Sequence, residues 1–151
     1  TRSKNDPAHV VTVRSVQKWA PEKGRPLNYG STIKPYVLDY HRNHNLVEMT
    51  YDPYQMHALA QELREEGVNC VPFDQNSLRL KADKQLFDFI RDMRIEHSGD
   101  LDLREHIENC SSKKAIGEDT KLRIIKRSNS LKIDLAVCLS MGVYECMRLL
   151  L

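Results

Sequence analysis

The sequence has four cysteines, Cys70, Cys110, Cys138 and Cys146, and no CxxC pair among them. That spacing suggests neither a zinc framework nor a disulfide framework. The thiols read as buried and reduced, with Cys138 and Cys146 at core spacing on one predicted helix. No secretory signal marks the N-terminus, and neither GxxxxGKS nor GxxxxGKT occurs, so no phosphate-loop nucleotide site is present. The apolar stretch 133–151 carries Asp134, Glu145 and Arg148, which argues against a membrane span. There is no repeat and no low-complexity segment. A net charge of +2 is too small to indicate nucleic acid by itself.

What is present suits one soluble domain. The chain has 151 residues, 40% of them apolar and 29% charged, enough for a proper core. Positive charge is concentrated locally, at Lys113 and Lys114 and then at Lys121, Arg123, Lys126, Arg127 and Lys132, just ahead of Asp134.

Residues 8–13 read as a strand, and 16–19 as a candidate returning strand of a hairpin, although Arg14 and Ser15 suit a tight turn poorly. Residues 21–30 form a loop broken by Pro21, Gly24, Pro26 and Gly30. Ser31 or Thr32 caps a helix that carries Pro35 in its first turn and ends near Asn43. Residues 47–52 are the next strand. Met56, Leu59, Ala60 and Leu63 mark an amphipathic helix stopped by Gly67. Residues 68–73 give another strand, and Leu86, Phe89, Ile90 and Met93 a further helix. Residues 94–97 are a short strand, and Asp100 or Asp102 caps a helix through Cys110. Residues 111–120 are polar and loop-like, with 113–120 a candidate hairpin tip. Residues 122–126 read as a strand, and the closing helix runs from about Lys132. Strands alternating with helices predict a mixed sheet with helices on its faces.

Two aspartates stand at element ends. Asp52 sits at the carboxyl end of a strand, where open α/β sheets place their chemistry, and directly before Pro53. Asp134 opens the last helix. Paired carboxylates far apart in sequence suit hard divalent cations once folding brings them together. Each also has a structural role to offer. Asp52 before Pro53 is a natural helix N-cap, and Asp134 in a first turn is favoured by the helix dipole. Asp134 is the less comfortable, since Ile133 and Leu135 flank it and a carboxylate in apolar surroundings needs partners. Asp6, ahead of the first strand, is a third candidate or a turn residue. Glu62, Glu65, Glu66, Glu105 and Glu108 read as solvated. His41 and His44 lie one turn apart, a geometry that can hold a metal, but with no third ligand, and His97 ends a short strand, either near the site or as a packing residue.

Several segments, taken in order, resemble a known family. They are the strand ending in Tyr51-Asp52-Pro53-Tyr54-Gln55, the helix to Gly67, the strand ending at Gln75, then His97, Gly99, Leu103 to His106, Asn109, and Leu131-Lys132-Ile133-Asp134. This order resembles the C-terminal nuclease domain of the large terminase subunit of tailed bacteriophages, over essentially the whole chain. Trp19-Ala20-Pro21 and Pro26-Leu27 resemble the family's stretch ahead of its first helix. The resemblance implies an RNase H-like α/β fold, with a mixed β-sheet flanked by helices on both faces, forming a single nuclease domain over 1–151. It implies a metal-dependent endonuclease that cuts concatemeric viral DNA during packaging, in the cytoplasm of the infected bacterial host. Asp52 and Asp134 fall on two of the family's metal-binding aspartates, and Asp6 on a further acidic position. The family's first strand and first aspartate are expected ahead of Thr1, and its ATPase motor domain lies outside this sequence. The implied partners are double-stranded DNA, the portal, the small terminase subunit and that ATPase domain, with the isolated domain monomeric and no membrane involved.

The chemistry follows from the ligands. Hard Mg²⁺ or Mn²⁺ prefers carboxylate oxygen, and a two-metal site both activates water and steadies the leaving oxygen. The reading therefore makes Asp52 a bridging ligand and Asp134 a ligand of one metal. Lys132, Arg127, Lys126, Arg123, Lys114 and Lys113 are candidate phosphate contacts, or else a solvated strand edge. No recognition helix stands out, so cutting is expected to show little sequence specificity. Two rival readings remain at this stage: an RNase H-like junction resolvase, and a non-catalytic module that docks on DNA or the portal.

Overall fold

The computed structural model describes residues 9–114 and 121–149. Among the described residues six strands and five helices alternate except where β6 follows β5: β1 (Val11–Val13), α1 (Ile33–Asn43), β2 (Met49–Tyr51), α2 (Pro53–Glu65), β3 (Cys70–Pro72), α3 (Ser77–Arg91), β4 (Ile95–His97), α4 (Leu101–Glu108), β5 (Cys110–Lys114), β6 (Leu122–Lys126) and α5 (Asp134–Arg148). The strands form three two-stranded sheets. β1 pairs with β4 and β2 with β3, both parallel, and β5 pairs with β6 antiparallel. The fold is thus mixed α/β, with parallel pairs bridged by helices as βαβ connections require.

The chain divides into two compact units, one of Thr1–Lys18 with Asn76–Leu151 and one of Trp19–Gln75. In the second unit Tyr51, Leu59, Ala60, Leu63, Val68 and Cys70 form the core, covered by Ile33, Val37, Leu38 and Met56. The helical spacing of Leu59, Ala60 and Leu63 puts them on one face of α2, and all three are buried. α2 ends as expected at Gly67, whose φ of 89° lets Val68 N–H reach Leu63 O at 3.0 Å and Gly67 N–H reach Arg64 O at 3.0 Å, a Schellman turn.

In the first unit Leu86, Phe89 and Val143 are buried together, with Val11, Ile95, Ile124, Leu139 and Met147 packed around them. α3 begins at Ser77, earlier than its apolar stripe suggests. Of that stripe only Leu86 and Phe89 are buried; Ile90 is exposed, and Met93 lies beyond the helix and is 88% exposed. Met93 takes φ 53° in a second Schellman turn, with Arg94 N–H on Phe89 O at 2.8 Å.

Three expectations are corrected. Residues 16–19 form no strand, and β1 instead pairs with β4, 84 residues on, as at Thr12 and Glu96. Arg14 and Ser15 therefore need not make a tight turn. Residues 111–114 are not a loop, and Cys110 does not end the preceding helix: together they form β5, zipped onto β6 from Cys110↔Lys126 to Lys114↔Leu122; the polar, exposed side chains of Ser111 to Lys114 hid the strand. Cys138 is exposed, while Cys70 is buried, because Leu139 and Val143 take the core-facing positions of α5. Burial pushes the Cys70 thiol up from its ordinary value, with the Arg64 charge opposing.

Candidate functional site

Asp52 and Asp134 belong to different compact units. Both stand at the start of a helix, and each is held there differently.

Asp52 follows β2 and is the N-cap of α2, with Pro53 at the first helical position. Its Oδ1 accepts Tyr54 N–H at 3.0 Å, satisfying one of the amides that a helix start leaves open. The second oxygen makes no hydrogen bond among the described residues. The strand beneath is fixed by its partner: Tyr51 is 2% exposed, and its carbonyl accepts Phe73 N–H at 2.9 Å. Arg64 donates to the Tyr51 hydroxyl at 3.1 Å and to Cys70 O at 2.8 Å, tying α2 to both strands. Capping and functional availability therefore coexist in one carboxylate.

Asp134 is the first residue of α5 and is exposed. The apolar surroundings that its neighbours suggested fall on Ile133, which is buried, and the carboxylate itself points away from the core. It has no side-chain hydrogen bond or ion pair among the described residues. The N-cap position is Ile133, which has no side chain able to cap. That role passes to α4: His106, 4% exposed, accepts Leu135 N–H on Nδ1 at 3.0 Å. Asn109 donates from Nδ2 to Lys132 O at 3.0 Å. Asn109 O in turn accepts Arg127 N–H, and Arg127 Nε donates to Cys110 O, both at 3.0 Å. The Cys110 thiol donates to His106 O at 3.1 Å. Its burial, with the Asp83 charge adding, pushes it up from its ordinary value, which keeps it protonated and no nucleophile at neutral pH.

The six basic candidates do not lie on one track. On the β5–β6 hairpin Lys113 stands directly opposite Arg123, on the face shared by Ser111 and Ile125. Lys114 and Lys126 fall on the other face at opposite ends, Lys114 across from Leu122 and Lys126 across from Cys110, and on that face Leu122 is buried and Ile124 packs against the core. Arg127 extends from the end of the hairpin and Lys132 is exposed beside Asp134. Lys113, Lys114, Lys126 and Lys132 have no carboxylate partner among the described residues.

Asp6 and the tip residues 115–120 lie outside the described residues. His97 accepts Gly99 N–H on Nδ1 at 3.1 Å, a local turn. His44 caps the end of α1 with its ring 4.3 Å from that of Tyr40. Asp100, not Asp102, caps α4 through Leu103 N–H at 2.8 Å, and Asp102 pairs with Lys18. Among the described residues no group of three His, Cys, Asp or Glu side chains is gathered as a metal site, and no helix is long and apolar enough to cross a membrane. In the sequence His106 and Asn109 stand only among the residues that carry the family resemblance, with no role at the site. The one local signal for them is negative: Asp134 opens a helix with no capping residue before it.

Comparison with known proteins fits this geometry. The crystal structure of the HK97 bacteriophage large terminase is similar to this chain, with a TM-score of 0.67 at 18% identity. The match covers 81% of this chain and 26% of that one, so the chain spans about a quarter of the length of that terminase. At this identity the likeness shows the fold alone, a mixed α/β architecture. No curated protein sequence matches. Residues 31–148 match the family described as terminase large subunit, endonuclease domain; this covers most of the chain, Asp52 and Asp134 included, and the chain belongs to that family.

Proposed function

We propose that this chain is a metal-dependent endodeoxyribonuclease that cuts double-stranded, concatemeric viral DNA with little sequence specificity during genome packaging. The observation that carries the reading is the family match over residues 31–148, together with two helix-start carboxylates that keep free oxygens. The donor chemistry fits hard cations, since Asp52 uses only one oxygen for its cap and Asp134 is exposed and unbonded among the described residues. Asp52 and Asp134 would hold Mg²⁺ or Mn²⁺, with Asp6 as a further ligand; such ions supply charge neutralisation at the phosphate and acidify bound water.

The chain's own side chains do the rest. Lys113, Arg123, Lys126, Arg127, Lys132 and Lys114 bind backbone phosphates, which carry no base identity. Phosphate contact explains both the low specificity and an affinity that falls with salt. A nucleophilic side chain is not required, and the protonated Cys110 thiol does not serve as one. In the full-length protein the domain works beside an ATPase motor, the portal and the small terminase subunit, in the cytoplasm of the infected host; alone it is a monomer, and as one nuclease domain it spans 1–151.

The test is nicking of supercoiled plasmid in Mn²⁺. The wild-type chain is expected to cut linear duplex and plasmid, and Asp134→Asn and Asp52→Asn each to remove cutting with the fold retained. Cutting undiminished in Asp134→Asn would take that residue out of the mechanism. Preference for four-way junctions over linear duplex would favour a resolvase, and failure of the wild type to bind Mn²⁺ would leave only a docking module.

A further inference from the structure

We propose that His106 and Asn109 are positioning residues that set the direction of the Asp134 carboxylate by clamping the backbone on either side of it. The inference rests on the reading of Asp134 as a functional ligand and goes on to say what aims it. A helix start leaves its first amides without partners, and the usual remedy is a polar side chain at the N-cap. Here that position is Ile133, 8% exposed and committed to the core. The fold gives residue 133 to packing and recruits the cap from α4, 29 residues away in sequence.

The clamp has two jaws. His106 Nδ1 takes Leu135 N–H, one residue after Asp134, and Asn109 Nδ2 holds Lys132 O, two residues before it. Both jaws come from one turn of α4 and its C-cap. That turn is itself anchored, through Asn109 O and Cys110 O, to Arg127 at the end of β6. Neither jaw touches the carboxylate. An acceptor at Nδ1 bears no proton, so the ring is neutral with its proton on Nε2. A neutral cap leaves the negative charge at the α5 start to Asp134 alone, where an aspartate cap would add a second anion beside it.

The chemistry of the contact selects the variants. Asparagine places its amide oxygen as many bonds from the backbone as Nδ1, glutamine places it one bond farther, and leucine offers no acceptor. Amide hydrogen exchange at Leu135 reads the clamp without metal or substrate. Mn²⁺ affinity, by titration of the same chain, reads its consequence. His106→Leu is expected to speed Leu135 exchange at least tenfold and to weaken Mn²⁺ binding about 10–100-fold, the usual cost of losing a group that orients a ligand. His106→Asn is expected to restore both to within a few-fold of wild type, and His106→Gln to restore neither. Asn109→Ala is expected to weaken Mn²⁺ binding in the same direction, which keeps the test open should His106→Leu fail to fold. Equal rescue by asparagine and glutamine would overturn the clamp, as would wild-type Mn²⁺ affinity in both His106→Leu and Asn109→Ala. Mn²⁺ affinity unchanged in Asp134→Asn would overturn the ligand reading, and with it the purpose of the clamp, whatever Leu135 exchange shows. The two failures are therefore distinguishable.

Discussion

The two units place their carboxylates by opposite means. In the unit of residues 19–75 the aspartate caps its own helix two residues on, over a core cluster of Tyr51, Leu59, Ala60, Leu63, Val68 and Cys70. In the other unit all five buried polar or charged side chains of the described residues are found: Arg79, Asp83, His106, Ser140 and Glu145. Asp83 is the centre of these contacts. Its Oδ1 accepts from Arg79 Nε and from Ser140 Oγ, both at 2.6 Å, and its Oδ2 accepts Ile124 N–H at 2.9 Å, so one carboxylate joins α3, α5 and β6. Local capping makes Asp52 robust to changes elsewhere. Remote polar pins make the helix of Asp134 depend on residues 29 to 57 positions away.

That contrast is open to direct attack. The largest effect is expected from Asp83→Ala, which leaves Arg79 buried without its carboxylate and costs about 3–5 kcal/mol; a urea midpoint that hardly moves would mean the pin is idle. In the other unit the comparable loss comes from an apolar residue. Leu63→Ala, at a fully buried position, is expected to cost about 2–5 kcal/mol, read the same way. Next come the two aspartates. Asp52→Ala loses a cap and about 1 kcal/mol. Asp134→Ala, which caps nothing, is expected to lose only a dipole interaction of roughly 0.3–1 kcal/mol, although both variants are expected to lose cutting. Equal destabilisation by the two would erase the distinction between local and remote placement. The smallest effect concerns the hairpin. Lys113→Ala is expected to leave stability within about 0.5 kcal/mol while lowering the salt slope of duplex binding by roughly one, measured by anisotropy at several ionic strengths.

Legibility followed the same divide. Asp52 with Pro53, the apolar stripe of α2 and the stop at Gly67 were all readable, because cap, periodicity and turn are each settled within a few residues. β6 was readable with its bounds, since Leu122, Ile124 and Ile125 are β-rich. β5 was not, because Ser111, Ser112, Lys113 and Lys114 gain strand structure only from a partner. The pairing of β1 with β4 was missed for a like reason: three residues of strand do not say which distant strand they join. At the site, Asp134 was legible as a helix opener, but His106 and Asn109 act through backbone groups 29 and 23 residues off, and no local pattern announces such contacts. The basic cluster was read as one group because sequence proximity does not reveal that a strand turns alternate residues to opposite faces.

The β1–β4 pair also sets an order of events during synthesis. Thr12 leaves the ribosome 84 residues before Glu96, its parallel partner. At ordinary translation rates the wait lasts about 4 to 17 seconds, ample time for the continuous unit 19–75 to fold first. Until residue 95 emerges, residues 11–13 have no β4 to pair with, so this parallel pair closes late.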